Sequence, residues 1–178
     1  MIKIVIFKIE IFYNYNKHVT NYKNMTEFKS SIKLNTTIIY SLKKYNFDDL
    51  TDEDCIEIYK DGRVFSHFIE KWLSKMFPLK HITGCKSYDF VDKNYSQTLY
   101  DQKTFTKNGC YFCPSNMLGQ GRVFDQKVFE EKTKKLIFCI VSNINFPEIK
   151  IKFVRGTDLL KEYPKGKIKL QDHIKFFN

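Results

Sequence analysis

Long hydrophobic runs are missing from this sequence, and their absence excludes the first class of function. No stretch approaches the roughly 18 consecutive apolar residues of a membrane-spanning helix, so we expect no membrane partner. The short apolar run IVIF at residues 4–7 lies between Lys3 and Lys8, so it lacks the pattern of a secretory signal.

Glycine and proline number only 7 and 4, and the sequence contains no evident internal repeat or linker. With 178 residues, of which 43% are apolar, the chain is long enough for one domain with a sizeable core. We place this domain at residues 25–178. Residues 1–24 form either an N-terminal extension or an added edge strand, and we assign them no function.

Cysteine is scarce and irregularly placed. Because the five cysteines are odd in number, we expect reduced core thiols in a cytosolic or nuclear protein. Cys110 and Cys113 have the spacing of a zinc-binding pair, but a structural zinc site needs a second pair. The four histidines show no spacing typical of a zinc hydrolase or of a His-Asn-His nuclease.

Acidic residues are outnumbered by basic ones, 20 to 30, which gives a formal charge of +10. Residues 48–57 contain six acids and no base, and residues 102–178 contain fifteen bases and seven acids. A domain with this charge favours a polyanionic partner, and nucleic acid is the first candidate. The acidic segment leaves open a different function, in which a regulatory protein binds a basic partner through it.

The hydrophobic periodicity changes along the chain and predicts an α/β fold with a central mixed β-sheet flanked by helices. Thr51 and Asp125 are suitable N-caps, and Pro78 ends the most strongly amphipathic helix. The strand at 136–141 is continuously apolar, so it is covered on both faces, whereas the one at 148–154 alternates and is expected to be an outer strand. Helices are expected over residues 26–47, 52–60, 64–77, 126–135 and 157–163, and strands over residues 87–92, 98–106, 136–141 and 148–154.

Three side chains of the predicted hairpin are the candidates for chemistry. Asp101 and Lys103 are two residues apart on the second strand, so they point to the same face, and Asp89 can lie beside them because adjacent strands are about 4.8 Å apart. Two carboxylates this close repel each other unless a hard cation lies between them, and Mg²⁺ or Mn²⁺ fits that position. An adjacent ammonium group can orient or help deprotonate an attacking water and offset charge on phosphorus. The arrangement predicts phosphodiester cleavage.

These residues resemble the PD-(D/E)XK nuclease superfamily, which includes many type II restriction endonucleases. Tyr88-Asp89 stands in the place of the family's Pro-Asp pair, and Asp101-Gln102-Lys103 follows the apolar pair at residues 99–100. The resemblance covers about residues 64–154 and implies a Mg²⁺-dependent endonuclease that acts on double-stranded DNA. Tyrosine replaces the family's proline, and aspartate its commoner glutamate, but both carboxylates are retained.

An acid-x-Lys triplet by itself is a weak signal, because five occur in this chain. The triplet at 101–103 is favoured by its strand context and by Asp89 twelve residues upstream. The rival is Glu148-Ile149-Lys150 with Asp125 as its partner, which needs a helix and a strand to bring the two acids together. Asp92 is the second choice for the first carboxylate, since its side chain is expected on the face opposite Asp89.

Glu70 is a further candidate, because the resemblance implies an additional acidic residue on the helix at 64–77. On a helical wheel Glu70 lies about 60° outside the apolar stripe, so solvent exposure is the alternative to a metal-site function.

The loop at 107–122 contains three glycines and a proline and is the expected DNA-contacting insertion. Its side chains can bind phosphates and base edges, with a polar surface loop as the alternative. The candidate DNA-binding residues are Lys107, Asn108, Ser115, Asn116, Gln120 and Arg122.

The sequence therefore predicts a Mg²⁺-dependent DNA endonuclease, and the resemblance implies a small enzyme of the site-specific restriction type. One such domain has one active site, so cleavage of both DNA strands requires a homodimer. Two alternatives remain: a structure-selective nuclease of the Holliday-junction type, and a non-catalytic basic module that only binds nucleic acid.

Overall fold

A six-stranded mixed sheet organises the part of the chain that the structure describes. The structure is a computed structural model, and it describes residues 30–42, 49–84, 87–95, 97–114, 117 and 123–178. The sheet has the order β1-β7-β6-β4-β3-β2, and a second sheet pairs β5 with β8. The strands are β1 (Thr37–Ser41), β2 (Leu79–His81), β3 (Phe90–Asp92), β4 (Leu99–Phe105), β5 (Cys110–Tyr111), β6 (Leu136–Ser142), β7 (Glu148–Arg155) and β8 (Lys167–Ile168).

Helices cover both faces of the large sheet, which confirms the predicted α/β class. The β4–β6 pair is parallel, and α3 provides the crossover between these two strands. The other described pairs within the large sheet are antiparallel. The helices are α1 (Asp52–Lys60), α2 (Gly62–Met76), α3 (Gln126–Thr133), α4 (Gly156–Glu162) and α5 (His173–Phe177), with one turn of 3₁₀-helix at Leu170–Asp172.

The helix α2 forms where the amphipathic pattern predicted it. Phe65, Ile69 and Leu73 recur every four residues and are completely buried against one face of the sheet. Asp61 caps the first turn by accepting hydrogen bonds from the backbone N–H groups of residues 63 and 64. Burial of each such side chain stabilises the fold by about 1.5–3 kcal/mol, so this face fixes α2 on the sheet.

The other face of the sheet packs against α3, α4 and α5. Phe138 and Ile140 of β6 contact a second core that includes Phe129 of α3 and Phe177 of α5. Cys139 and Val141 of β6 point to the first core, so β6 is buried on both faces, as its continuous apolar run predicted.

Two predictions about the elements are wrong. The helix predicted over residues 26–47 is not present in its described part, where β1 pairs with β7 instead. The strand β7 is not an outer strand, because β1 covers its far edge. The polar residues of β7 alternate with apolar ones for another reason. Lys152 lies on the face opposite the first core, where its ammonium group donates to the backbone carbonyl of Phe176 and lies 5.2 Å from the centre of the Phe176 ring.

The predicted N-caps are confirmed, since Thr51 forms a reciprocal capping box with Asp54, and Asp125 accepts from the N–H of Val128. Residues 1–24 lie outside the described part of the chain. Among the described helices, none has the length and apolar character needed to cross a membrane. Four cysteines are buried with free thiols, as expected, and Cys85 lies outside the described residues.

His173 provides a prediction for the pH dependence of stability. Its Nε2 lies 2.9 Å from the Ser142 hydroxyl, and its ring packs on Phe105 and Phe177. Burial, assisted by the charge of Lys150, lowers the pKa of His173 below its usual value of 6.5. Protonation is therefore easier in the unfolded chain, and this residue makes the folded state lose stability as the pH falls below about 6.5.

We expect His173→Gln to lose less stability than the parent protein when urea unfolding is compared at about pH 7 and about pH 5. His67→Gln is the control, because His67 is exposed on α2 and is expected to follow the parent. An equal loss of stability in the parent and in His173→Gln would contradict the prediction.

Candidate active site

The three predicted side chains meet where the sheet opens between β3 and β4. β3 has three residues and β4 has seven, so none of the described strands pairs with the second half of β4 on this side. Asp89 directly precedes β3, and its backbone N–H donates to the carbonyl of Tyr100 at 2.9 Å. The Asp89 carboxylate then accepts the backbone N–H of Gln102 at 2.7 Å. The Asp89 carboxylate thus accepts the hydrogen bond that the carbonyl of a neighbouring strand would otherwise accept, and it is held beside Asp101.

Asp101 and Lys103 share one face of β4, as the two-residue period predicted. Lys103 Nζ lies 2.7 Å from Asp101 Oδ2. Asp101 is only 9% exposed, and Asp89 lies close enough for its carboxylate to raise the pKa of the Asp101 carboxyl group. The structure therefore brings Asp89, Asp101 and Lys103 into one contiguous group.

The charges of this group are strongly coupled. Burial raises the pKa of Asp101 to about 7; the Lys103 ammonium opposes this rise, and the neighbouring Asp89 adds to it. Burial by itself would lower the pKa of Lys103, but the carboxylates of Asp101 and Asp89 outweigh it and raise the pKa above its usual value. Lys103 is therefore cationic at neutral pH, and Asp101 takes up a proton more readily than an exposed aspartate does.

A cavity of about 700 Å³ opens in front of this group. Asp89 and Lys103 form part of its wall, whereas Asp101 lies behind them. The charges of Lys103 and Asp101 act on the buried thiol of Cys110. Burial raises the pKa of this thiol to about 12, so it stays protonated at neutral pH and is not a nucleophile. The cavity gives a ligand direct access to two of the three predicted residues.

Glu70 also lines this cavity, on the α2 side. Its side chain is 19% exposed, and Oε2 lies 3.0 Å from Nε2 of His81 at the end of β2. The Nζ of Lys71 lies 3.3 Å from the other ring nitrogen, Nδ1. Glu70 thus belongs to the same cavity as Asp89, with His81 as its partner. The contact with His81 was not predicted, because the strand β2 that positions His81 was not predicted.

Two of the six candidate DNA-binding residues line the cavity. Lys107 and Asn108 occupy the turn after β4, where the backbones of Thr106 and Gly109 exchange hydrogen bonds of 3.1 and 2.9 Å. The predicted loop is partly ordered by β5, which the sequence analysis did not predict. The other four candidates, Ser115, Asn116, Gln120 and Arg122, lie outside the described residues.

Two further basic residues of the cavity were not predicted from the sequence. Lys60 and Arg63, at the junction of α1 and α2, also line the cavity. Asn143 is 2% exposed, and its side-chain amide donates to the carbonyls of Tyr59 and Lys60 at 3.0 and 3.3 Å. These bonds attach the end of α1 to the end of β6, so the two basic residues have a fixed place at the cavity.

The alternatives named from the sequence are used elsewhere in the fold. Asp92 is buried and accepts hydrogen bonds from the backbone of the β3–β4 turn and from the Tyr100 hydroxyl. Asp125 caps α3, and Glu148 is exposed at the first residue of β7, opposite Ser41. The structure thus gives these acids structural or surface positions.

Within the described residues, no group of three or more histidine, cysteine, aspartate or glutamate side chains is arranged to hold a metal ion. The site therefore offers two adjacent carboxylates, with Glu70 on the facing wall. No family model, curated protein or solved structure matches this chain.

Proposed function

We propose that this protein is a Mg²⁺-dependent or Mn²⁺-dependent DNA endonuclease of the PD-(D/E)XK type. One observation carries the proposal: Asp89, Asp101 and Lys103 form a single contiguous group, and Asp89 and Lys103 of this group line a cavity. Ion pairs with a purely structural function also perturb pKa values. The Asp101–Lys103 pair, however, lies on the unpaired half of β4, beside a cavity that basic residues also line. That position suits an anionic substrate.

The Asp89–Asp101 pair fits a divalent cation. The charge of Asp89 raises the pKa of Asp101, and a hard cation bound by one or two carboxylates and water would offset this repulsion between the two acids. A bound Mg²⁺ would polarise a phosphate oxygen and lower the pKa of a bound water. Glu70, which lines the same cavity from α2, can accept a hydrogen bond from a further water near the metal or remain paired with His81.

The function of Lys103 follows from its charge. Hydrolysis forms a bond between a water oxygen and phosphorus, breaks the bond from phosphorus to the leaving oxygen, and transfers a proton from water to the leaving oxygen. Lys103 is an ammonium group, so it orients the water and offsets the negative charge on phosphorus and does not take the proton.

The basic walls of the cavity provide affinity for the DNA backbone. Lys107 and Asn108 line it from the turn after β4, and Lys60 and Arg63 line it from the junction of α1 and α2. Such contacts bind phosphates independently of sequence, so binding is expected to weaken steeply with salt. One site cuts one strand, and we therefore include a homodimer and a site-specific restriction activity in the proposal, with cleavage restricted to branched DNA as the alternative.

We expect the purified protein to cut plasmid DNA in the presence of Mg²⁺ and to lose this activity completely with EDTA, because the metal supplies the Lewis acid. Discrete fragments on a gel would support a restriction activity, and cleavage of a four-way junction without cleavage of the plasmid would support a structure-selective one. Salt-sensitive DNA binding with no cleavage of either substrate would contradict the nuclease proposal and favour the non-catalytic binding module.

A further inference from the structure

The small second sheet places an aromatic ring beside the candidate active site. Tyr111, on β5, is 45% exposed and lines the same cavity as Asp89 and Lys103. Its chain neighbour Cys110 is fully buried and lies within electrostatic reach of Lys103 and Asp101. The ring therefore lies close to the group that would hold the metal, and the proposed chemistry does not use it.

Lys167 fixes the orientation of this ring. Residue 167 is the direct cross-strand partner of Tyr111, and its ammonium group lies 4.5 Å from the centre of the ring. Contacts of this kind hold a cation over the face of an aromatic ring. With one face covered by a positive charge, the exposed part of the ring remains available to the cavity.

The backbone around Tyr111 is rigidly placed. Gly109, in the turn that leads into β5, has a φ of 85°, and a Cβ there would lie 2.4 Å from the carbonyl oxygen of Ile168 on β8. The carbonyl of Gly166 accepts the backbone N–H of Phe112 at 2.9 Å. Tyr111 is thus held on a short ordered strand between two close backbone contacts.

We propose that Tyr111 is a stacking platform for an unstacked base of the bound DNA strand, next to the phosphate that is cleaved. The inference rests on the proposed function. An exposed ring in a concave basic site is the arrangement that proteins use to bind bases outside a duplex stack, since every base offers a π-face. A base inside an intact duplex is stacked on its neighbours, so it has to leave the helix before it can contact a ring in a cavity.

The basic walls are consistent with a strand that crosses the cavity. Lys60 and Arg63 lie on the α1–α2 side, and Lys107 lies on the side of Tyr111. A strand whose phosphates contact these residues would have nucleotides inside the cavity that Tyr111 lines. DNA with unpaired nucleotides, such as a gapped duplex, is therefore expected to bind more tightly than an intact duplex of the same length.

The test is fluorescence anisotropy of labelled oligonucleotides in EDTA, with single-stranded, gapped and intact duplex DNA. We expect Tyr111→Ala to weaken binding of the single-stranded and gapped DNA by about tenfold or more, and Tyr111→Trp to keep binding close to that of the parent. Tyr111→Leu, which keeps apolar bulk beneath Lys167, is expected to bind as weakly as Tyr111→Ala. The control is Tyr95→Ala, because Tyr95 is 72% exposed in the β3–β4 turn and does not line the cavity.

Three results would overturn the inference, and the first two would do so without overturning the nuclease proposal. Equal affinity of Tyr111→Leu and the parent for gapped DNA would show that Tyr111 does not stack on a base. Mg²⁺-dependent cleavage by the same variant would still support the proposed nuclease. Equal affinity of the parent for gapped and intact duplex would remove the preference for unpaired nucleotides. No binding of any DNA by the parent, even at low salt, would overturn both proposals.

Discussion

Replacing Asp101 with asparagine should reduce the rate of Mg²⁺-dependent DNA cleavage by at least about 10³-fold. Asparagine keeps the size of the side chain and an oxygen that can accept from Lys103, which lies 2.7 Å away in the parent. It removes the negative charge that would bind the metal together with Asp89. DNA binding in EDTA is expected to be unchanged or slightly tighter, because a carboxylate near the phosphates is lost.

The control for this experiment is Glu148→Gln, which removes the acid of the rival triplet. Glu148 is exposed at the beginning of β7, so its loss is expected to leave the cleavage rate unchanged. Urea unfolding of both variants shows whether a loss of activity comes from loss of the fold. A folded Asp101→Asn protein that cuts DNA at the parental rate would refute the assignment of the site.

The second large effect is expected for Lys103→Gln, which should lower kcat by roughly 10²-fold or more and change KM little. The reason is that its ammonium charge is needed where negative charge develops on phosphorus, whereas binding of the DNA depends mainly on the other basic residues of the walls. Lys103 is also the partner of two carboxylates, so the folding of the variant has to be measured beside its rate.

Lys107→Gln is the matched control, because Lys107 lines the same cavity but is not paired with Asp101. We expect it to raise KM, to leave kcat close to the parental value, and to reduce the salt slope of DNA binding by about one. If the two variants show the same pattern, with an unchanged kcat for Lys103→Gln, then Lys103 is only a phosphate contact and the proposed chemistry is wrong.

The local pattern of the sequence was sufficient to predict the elements that carry the candidate site. The four-residue spacing of Phe65, Ile69 and Leu73 specifies the buried face of α2, and the two-residue spacing of Asp101 and Lys103 specifies their common face on β4. Both patterns depend only on the geometry of one element. For that reason they could be recognised without knowledge of the tertiary fold.

The elements that were not predicted depend on distant partners. β1 contains the β-branched Ile38 and Ile39, but its pairing with β7 crosses more than a hundred residues, and a short apolar run alone does not distinguish a strand from a helix. β5 and β8 have two residues each and exist as strands only because they pair with each other. Tyr111 consequently reaches the cavity through a pairing that no local pattern encodes.

The sequence also could not predict how the carboxylates are held. The proximity of Asp89 and Asp101 follows from strand spacing, but the backbone contact of Asp89 with Gln102 follows from the short length of β3, which ends the ladder before β4 does. The pairing of Glu70 with His81 likewise depends on β2, a strand of three residues.

The open edge of β4 has a consequence for spectroscopy. The amide proton of Gln102 is bonded to a carboxylate, whereas a strand carbonyl would normally occupy that place. The strength of this hydrogen bond therefore varies with the charge on Asp89, and a cation or a proton bound to the Asp89 carboxylate weakens it. A single backbone amide in the ¹H–¹⁵N spectrum thus reports the state of the candidate site through its chemical shift and its rate of hydrogen exchange, without any added label near the chemistry.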